Sequence, residues 1–269
     1  MQLSEHVFTE KIQYQVRLSE SLVLNRFSYA YVVAGEHPVL IDVDAGNSRR
    51  LIQSLLKESG LVNRKIAKLL ITHMHPDRLD VLKDLKSWLD CPSAGSKYAP
   101  ADACKLFDET LSDGQILDLG GKSSLKVMEV PGHRKDMLAF FHQEDGVLIS
   151  ADSIPRPGQV PIYDDVKSTI WSIRRLKNIG NIKVLASSWD DPHKGAEIPR
   201  FFSEAKAYVE KVHTAVLKAH GLYGDNPAAV AKAVMPLLDL SVKDYSPQYV
   251  RTIAAHLQVI GKSEQMNLK

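Results

Sequence analysis

The sequence predicts an α/β chain in which two β-sheets pack together with helices outside, followed by a helical C-terminal segment. Three observations carry this expectation. Strand-like stretches cluster early, over residues 7–43, and again over residues 111–152. Helical patterns lie between and beyond these clusters, an arrangement that suits two packed sheets better than one doubly wound sheet. From about residue 199 onward the pattern is almost wholly helical.

In the first cluster, "FSYAYVVAG" and "PVLIDVDAG" are rich in β-branched and aromatic residues and are punctuated by Gly35, Pro38 and Gly46. "NSRRLIQSLLKESG" reads as a helix: Asn47 or Ser48 can cap it, Leu51, Ile52, Leu55 and Leu56 form one apolar face, and Gly60 stops it. "IAKLLITH" is a buried strand, and "LDVLKDLKSWLD" is an amphipathic helix opened by Asp80, a carboxylate being favourable near a helix N-terminus. Residues 111–152 form short strands separated by Gly-Gly, Pro-Gly and Asp-Gly turns. "DDVKSTIWSIRRLKN" returns to helix, with a basic run read as a solvated face, and "IKVLASS" is a further strand. Beyond "WDDPHKGAEIPR" the chain is helical, with Asn226-Pro227 and Ser246-Pro247 each placing a capping residue before a proline at the first helical position. These patterns divide the chain into an α/β domain, 1–198, and a helical appendage, 199–269.

Composition narrows the class of partner. With 44% hydrophobic and 25% charged residues the chain is an ordinary globular protein, and a net charge of +2 argues against nucleic acid or an anionic membrane as partner. No apolar stretch approaches the ~18 residues of a membrane span, and "MQLSEHVFTEK" lacks the apolar core of a signal peptide, so the chain is read as soluble and cytoplasmic. Cys91 and Cys104 have no CxxC spacing and read as reduced thiols.

Chemistry concentrates where apolar strands end. "LLITHMHPDRLDVL" presents His73, His75 and Asp77 directly after a buried strand, and one-residue spacing lets two imidazoles converge on one point. Two neutral imidazoles suit zinc or iron, and a nearby carboxylate can bind the metal or orient water on it. His133 stands in a Pro-Gly turn after another strand, and Asp152 closes "GVLISAD". Both are metal-ligand types at strand ends, where side chains from separate strands can meet.

The order "VLIDVDAG", "THMHPDR", "PGH", "ISADS" and "SSWDD", over about residues 20–195, resembles the metallo-β-lactamase fold superfamily. That resemblance implies a four-layer αββα sandwich of two mixed sheets. It also implies a first metal site made by His73, His75 and His133, with Asp152 as the carboxylate shared between metals and Asp77 as a second-site ligand. Asp42 falls at a strand end facing the site, where it would support an imidazole or the backbone. Two positions depart from the family pattern. Arg78 stands where the second site usually has a histidine, and Trp189 or Asp190 replaces the final histidine. Asp190 can still offer an oxygen, whereas Trp189 can only wall a pocket.

An arginine roughly 4 Å from a dication is repelled by several kcal/mol even when well screened, so a second metal is disfavoured. The expectation is one ion, zinc before iron or manganese, held by His73, His75, His133 and Asp152. Arg78 replaces the second charge and grips an anionic substrate group. Asp77 would orient water or take its proton, and Trp189 and His193 would line the substrate pocket. The reaction this implies is hydrolysis of a small ester, thioester or lactone. An iron oxidoreductase and a non-catalytic binding protein are the alternatives on the same fold. The C-terminal segment is similar to tails that, in some family members, cover the site or form dimer contacts, so a homodimer is a candidate assembly. Asp136 reads as a turn or cap residue, and His6, His37, His142, His193, His213, His220 and His256 as surface or packing residues, the pocket wall being the alternative for His193.

Overall fold

The computed structural model describes residues 1–17, 23–42, 49–75, 78–188, 190–241 and 245–260. Two six-stranded mixed sheets are present, as expected. The first opens on a long antiparallel hairpin, β1 (Val7–Arg17) with β2 (Val23–Val33), and continues through β3 (Val39–Ile41), β4 (Lys68–Leu70), β5 (Ser93–Ser96) and β6 (Glu109–Leu111) in that spatial order. From β3 onward the strands run parallel, so their carboxyl ends share one edge. The second sheet comprises β7 (Ile116–Gly120), β8 (Ser123–Glu129), β9 (Leu138–His142), β10 (Val147–Ala151), β11 (Val184–Ser187) and β12 (His193–Lys194), again in chain order across the sheet. Among the described residues, only β10 and β11 are parallel there.

Period-two patterning sorts the side chains between two apolar clusters. Along β2, Tyr29, Tyr31 and Val33 face Leu125, Val127, Leu138, Phe140, Val147 and Ile149 of the second sheet. Ala30 and Val32 point the other way, into a cluster with Ile52 and Leu55 of α1 (Arg49–Glu58) and Leu82 and Leu85 of α2 (Leu79–Leu89). Each Val, Leu, Ile or Phe among them taken fully out of water contributes roughly 1.5–3 kcal/mol before entropy is counted. Gly60, at a φ of 71°, terminates the α1 segment as predicted. The capping residues Asn47 and Ser48 lie outside the described residues.

These elements and the short helix α3 (Ala101–Cys104), without residues 130–135, form one compact unit; a second unit gathers residues 130–135, 152–180 and the chain from 196 onward. The second unit contains α4 (Val166–Lys177), α5 (Glu197–Tyr223), α6 (Pro227–Leu237) and α7 (Pro247–Ile260). The capping predictions hold: Asn226 accepts from the N–H groups of Ala228 and Ala229, and Ser246 accepts from that of Tyr249. Val212, Val216, Val230, Val234, Tyr249 and Ile253 form the core of α5–α7. Among the described residues no helix is long and apolar enough to cross a membrane.

His256 is buried within this second unit. Its Nε2 lies 2.7 Å from the Tyr163 hydroxyl and its Nδ1 lies 3.1 Å from Nδ1 of His213. Burial, reinforced by His213, pulls the His256 imidazole down to about 3. Between its unfolded value of about 6.5 and that folded value, the unfolded chain takes up a proton that the native state refuses. The stability tied to His256 is therefore complete above about pH 6.5 and drains away as pH falls, at roughly 1.4 kcal/mol per pH unit. In urea denaturation between about pH 7 and about pH 5, the His256→Gln variant should show a stability slope shallower than wild type by about 1 kcal/mol per pH unit, averaged over that range. Parallel slopes would contradict it.

Candidate metal centre

The site begins where β4 runs out. Asp42, immediately after β3, adopts a left-handed backbone (φ 65°), a conformation L-residues other than glycine seldom adopt. Its buried carboxylate accepts from the Thr72 N–H at 2.8 Å and lies 2.8 Å from the Thr72 hydroxyl through either oxygen. Asp42 thus supports the backbone at the ligand segment, as expected. Thr72 Oγ1 lies 3.0 Å from His73 Nδ1. With the hydroxyl hydrogen committed to Asp42, the oxygen accepts from Nδ1–H, which assigns the metal-ligating role to the unprotonated Nε2. One residue on, the Met74 N–H donates to Asp136 at 2.9 Å. Asp136, expected to serve a local turn or cap, instead reaches back to hold the peptide between His73 and His75.

His133 is set by the turn that precedes it. Gly132 has a φ of 144°, and a Cβ there would fall 2.7 Å from Thr169 Cα and 2.8 Å from Thr169 N, both backbone atoms of α4. The turn is tied to the start of that helix. The Gly132 carbonyl accepts from the N–H groups of Asp164 and Asp165, and the Ser172 hydroxyl donates to Pro131 O at 2.6 Å. His133 Nδ1 donates to the Ile162 carbonyl at 2.9 Å, leaving Nε2 as its ligating nitrogen, 3.5 Å from Asp152 Oδ2. Asp152 follows a register shift between Ile149 and Ala151, and Ala151 itself is left-handed at φ 46°. A bulge of this kind re-aims the next side chain.

His73 and His75 stand edge to face with ring centroids 4.8 Å apart. His73, His75, His133 and Asp152 each offer one ligand atom, and these four atoms all lie within 4.8 Å of one another. All but His75, which is half-buried, are almost wholly withdrawn from water. Ligands of a tetrahedral ion with bonds near 2.0–2.2 Å stand about 3.4 Å apart, so small side-chain adjustments close the set on a metal. Three neutral imidazoles and a carboxylate suit zinc, and a buried carboxylate demands a compensating positive charge. The donor set fits a metal. Glu5, His6 and Asp145 form a second close group, but it is more exposed, and Asp145 already accepts from the Ser4 hydroxyl and the His6 N–H.

Arg78 occupies the N-cap position of α2, is 9% exposed, and its N–H donates to the His75 carbonyl at 3.0 Å. Asp190 lies 3.1 Å from His193 Nε2 through one oxygen and accepts the Asp191 N–H through the other; it is not one of the four grouped residues. Asp77 and Trp189 lie outside the described residues. Thr72, Asp136 and the Ile162 carbonyl are the supporting groups that the sequence reading missed.

Two mixed sheets with candidate metal ligands at their strand ends define a metallohydrolase-like architecture. Residues 24–183, more than half of the chain, match the family model of the metallo-beta-lactamase superfamily, and the chain belongs to that superfamily. The hydroxyacylglutathione hydrolase of Rhodopseudomonas palustris (strain BisB5) is 29% identical over 141 residues, covering 51% of this chain and 52% of that protein. The chain spans about half the length of the hydroxyacylglutathione hydrolases that it matches. A beta-lactamase-like protein 2 homolog of Caenorhabditis elegans is 23% identical over 229 residues, covering 78% of this chain and 75% of that protein. Among solved structures, a beta-lactamase domain protein from Burkholderia ambifaria superposes with a TM-score of 0.68 at 15% identity, over 98% of this chain and 88% of that one. A metallo-beta-lactamase family protein from Thermus thermophilus gives 0.66 at 17% identity, over 94% and 93%. These two likenesses establish the fold.

The tight approach of Gly132 to α4 has a measurable consequence. Gly158 also has positive φ (76°) but open space around it, so Gly158→Ala should cost only the backbone term of about 1 kcal/mol. Gly132→Ala should cost a further 1–3 kcal/mol or so from the clash with Thr169. Equal losses in chemical denaturation would show that the turn yields freely.

Proposed function

We propose that this chain is a metal-dependent hydrolase of a small ester, thioester or lactone, with an anionic thioester the favoured substrate class. The observation that carries the reading is the convergence of His73, His75, His133 and Asp152. The thioester preference is supported by the relatives named hydroxyacylglutathione hydrolase. Zinc is the ion the donor set suits best, with iron or manganese accepted by the same atoms. When bound, it lowers the pKa of water towards about 7 and polarises a carbonyl.

The remaining work falls to the side chains. His73 and His133 direct their Nδ1 hydrogens to Thr72 and to the Ile162 carbonyl, so both present Nε2 as the ligating nitrogen. Asp77, two positions beyond His75, is assigned to orient the attacking water and take its proton. Arg78 is tethered to His75 through the backbone, and its permanent charge takes the place of a second metal and clamps an anionic group of the substrate. Trp189 and the Asp190–His193 pair are assigned to the substrate side.

The test pairs elemental analysis of natively produced protein with kinetics of Arg78→Ala on matched anionic and neutral thioesters and esters. A charge-assisted contact contributes about 1.5–3 kcal/mol, so kcat/KM should fall about 10- to 100-fold on anionic substrates and only a few-fold on neutral ones. Equal losses on both would remove the anion clamp. A zinc-loaded protein inert across the whole panel would remove the hydrolase reading.

A further inference from the structure

We propose that Thr252, far along the chain on α7, is a positioning residue for the candidate metal ligand His133. The proposal rests on the metal-site reading above and concerns how the C-terminal helices serve that site. Its core is a single peptide group held at both ends. The peptide joining Ile162 to Tyr163 accepts His133 Nδ1–H at its carbonyl, at 2.9 Å, and donates its N–H to Thr252 Oγ1 at 3.0 Å. The Thr252 hydroxyl in turn donates to the Tyr163 carbonyl at 3.0 Å. One side chain therefore satisfies both backbone groups of Tyr163, as a neighbouring strand would. A second anchor comes from the same helix, where His256 meets the Tyr163 hydroxyl at 2.7 Å.

Burial makes this arrangement decisive for His133. Thr252 is fully buried, Tyr163 is 1% exposed and His133 is 3% exposed, so water cannot replace a lost partner. Hydrogen bonds at the two ends of one amide polarise it in the same sense and strengthen each other. Without the hydroxyl, the peptide plane is free to tilt, and the Ile162 carbonyl leaves the line of the His133 Nδ1–H. The imidazole then loses the contact that excludes the Nε2–H tautomer, in which the ligating nitrogen carries a proton and cannot bind metal. Supporting contacts to metal-bound histidines typically govern affinity by about 10- to 100-fold.

The experiment compares wild type, Thr252→Val, Thr252→Ser and Val234→Ala, with two readouts. Val234 is a core residue of α6, and its truncation reports general destabilisation of the same helical unit. Zinc affinity is measured by chelator competition, and the His133 ring is followed in zinc-free protein by long-range proton–nitrogen spectra. The expected result is about tenfold weaker zinc binding and a mixed His133 tautomer for Thr252→Val. Thr252→Ser should restore both properties, and Val234→Ala should lower thermal stability while leaving both intact. A folded Thr252→Val protein with wild-type affinity and tautomer overturns the proposal, as do equal affinity losses in Thr252→Val and Val234→Ala. Should Thr252→Val not fold, the zinc-free wild type still decides: a His133 ring held mainly as the Nε2–H tautomer overturns the proposal. Wild type that binds no zinc would overturn the metal-site reading instead, and the ring spectra would still report the link from Thr252 to His133.

Discussion

A carboxylate nearly stripped of water, with three imidazole nitrogens close around it, is the constraint on which the rest of this structure turns. Such a group is expensive unless a cation shares its charge, and neutral imidazoles supply none. Several local departures from ordinary backbone geometry maintain the arrangement. Asp42 and Ala151, each ending a strand, take left-handed conformations, and Gly132 takes one that a side chain would obstruct. Strain of this kind costs of order 1–3 kcal/mol at each position and persists where surrounding structure over-determines it. Here each strained residue adjoins a candidate ligand or the hydrogen bond that orients one.

Two of the histidines are oriented by different chemistry. His73 rests on a hydroxyl whose own proton is taken by a carboxylate, a relay confined to β3, β4 and the residues just beyond them. His133 rests on a backbone carbonyl whose peptide is gripped by α7. Both devices produce the same tautomer, with Nδ1 protonated and Nε2 presented as ligand. Thr252 of α7 is thus linked to His133 through the peptide between Ile162 and Tyr163.

Much of this was legible in the sequence because ligand-type residues stood at the ends of apolar runs. His73 and His75 after "KLLIT", His133 in a Pro-Gly turn and Asp152 after "VLISA" are read from local pattern alone. The two-sheet architecture was readable for a related reason, since strands such as β2 alternate between two buried faces. What escaped notice depends on partners remote in sequence. β5 is "SAGS", without a β-branched or aromatic residue, and is a strand only because β4 and β6 pair with it. Asp136 looks like a turn residue until Met74 is placed beside it. The Ile162 carbonyl has no side-chain signature at all, and Thr252 is one more threonine on a helix until Tyr163 meets it.

Arg78 is a cation nine-tenths withdrawn from water, directly after the segment that carries His73 and His75 and bonded to it through the His75 carbonyl. Its permanent charge is the ground for proposing one metal ion rather than two. X-ray absorption of the zinc-loaded protein at the zinc edge measures that assignment directly. One zinc per chain is expected, with three imidazole nitrogens and one or two oxygens at about 2.0–2.2 Å. A zinc–zinc vector near 3.5–4 Å, or a spectrum without imidazole scattering, would contradict it.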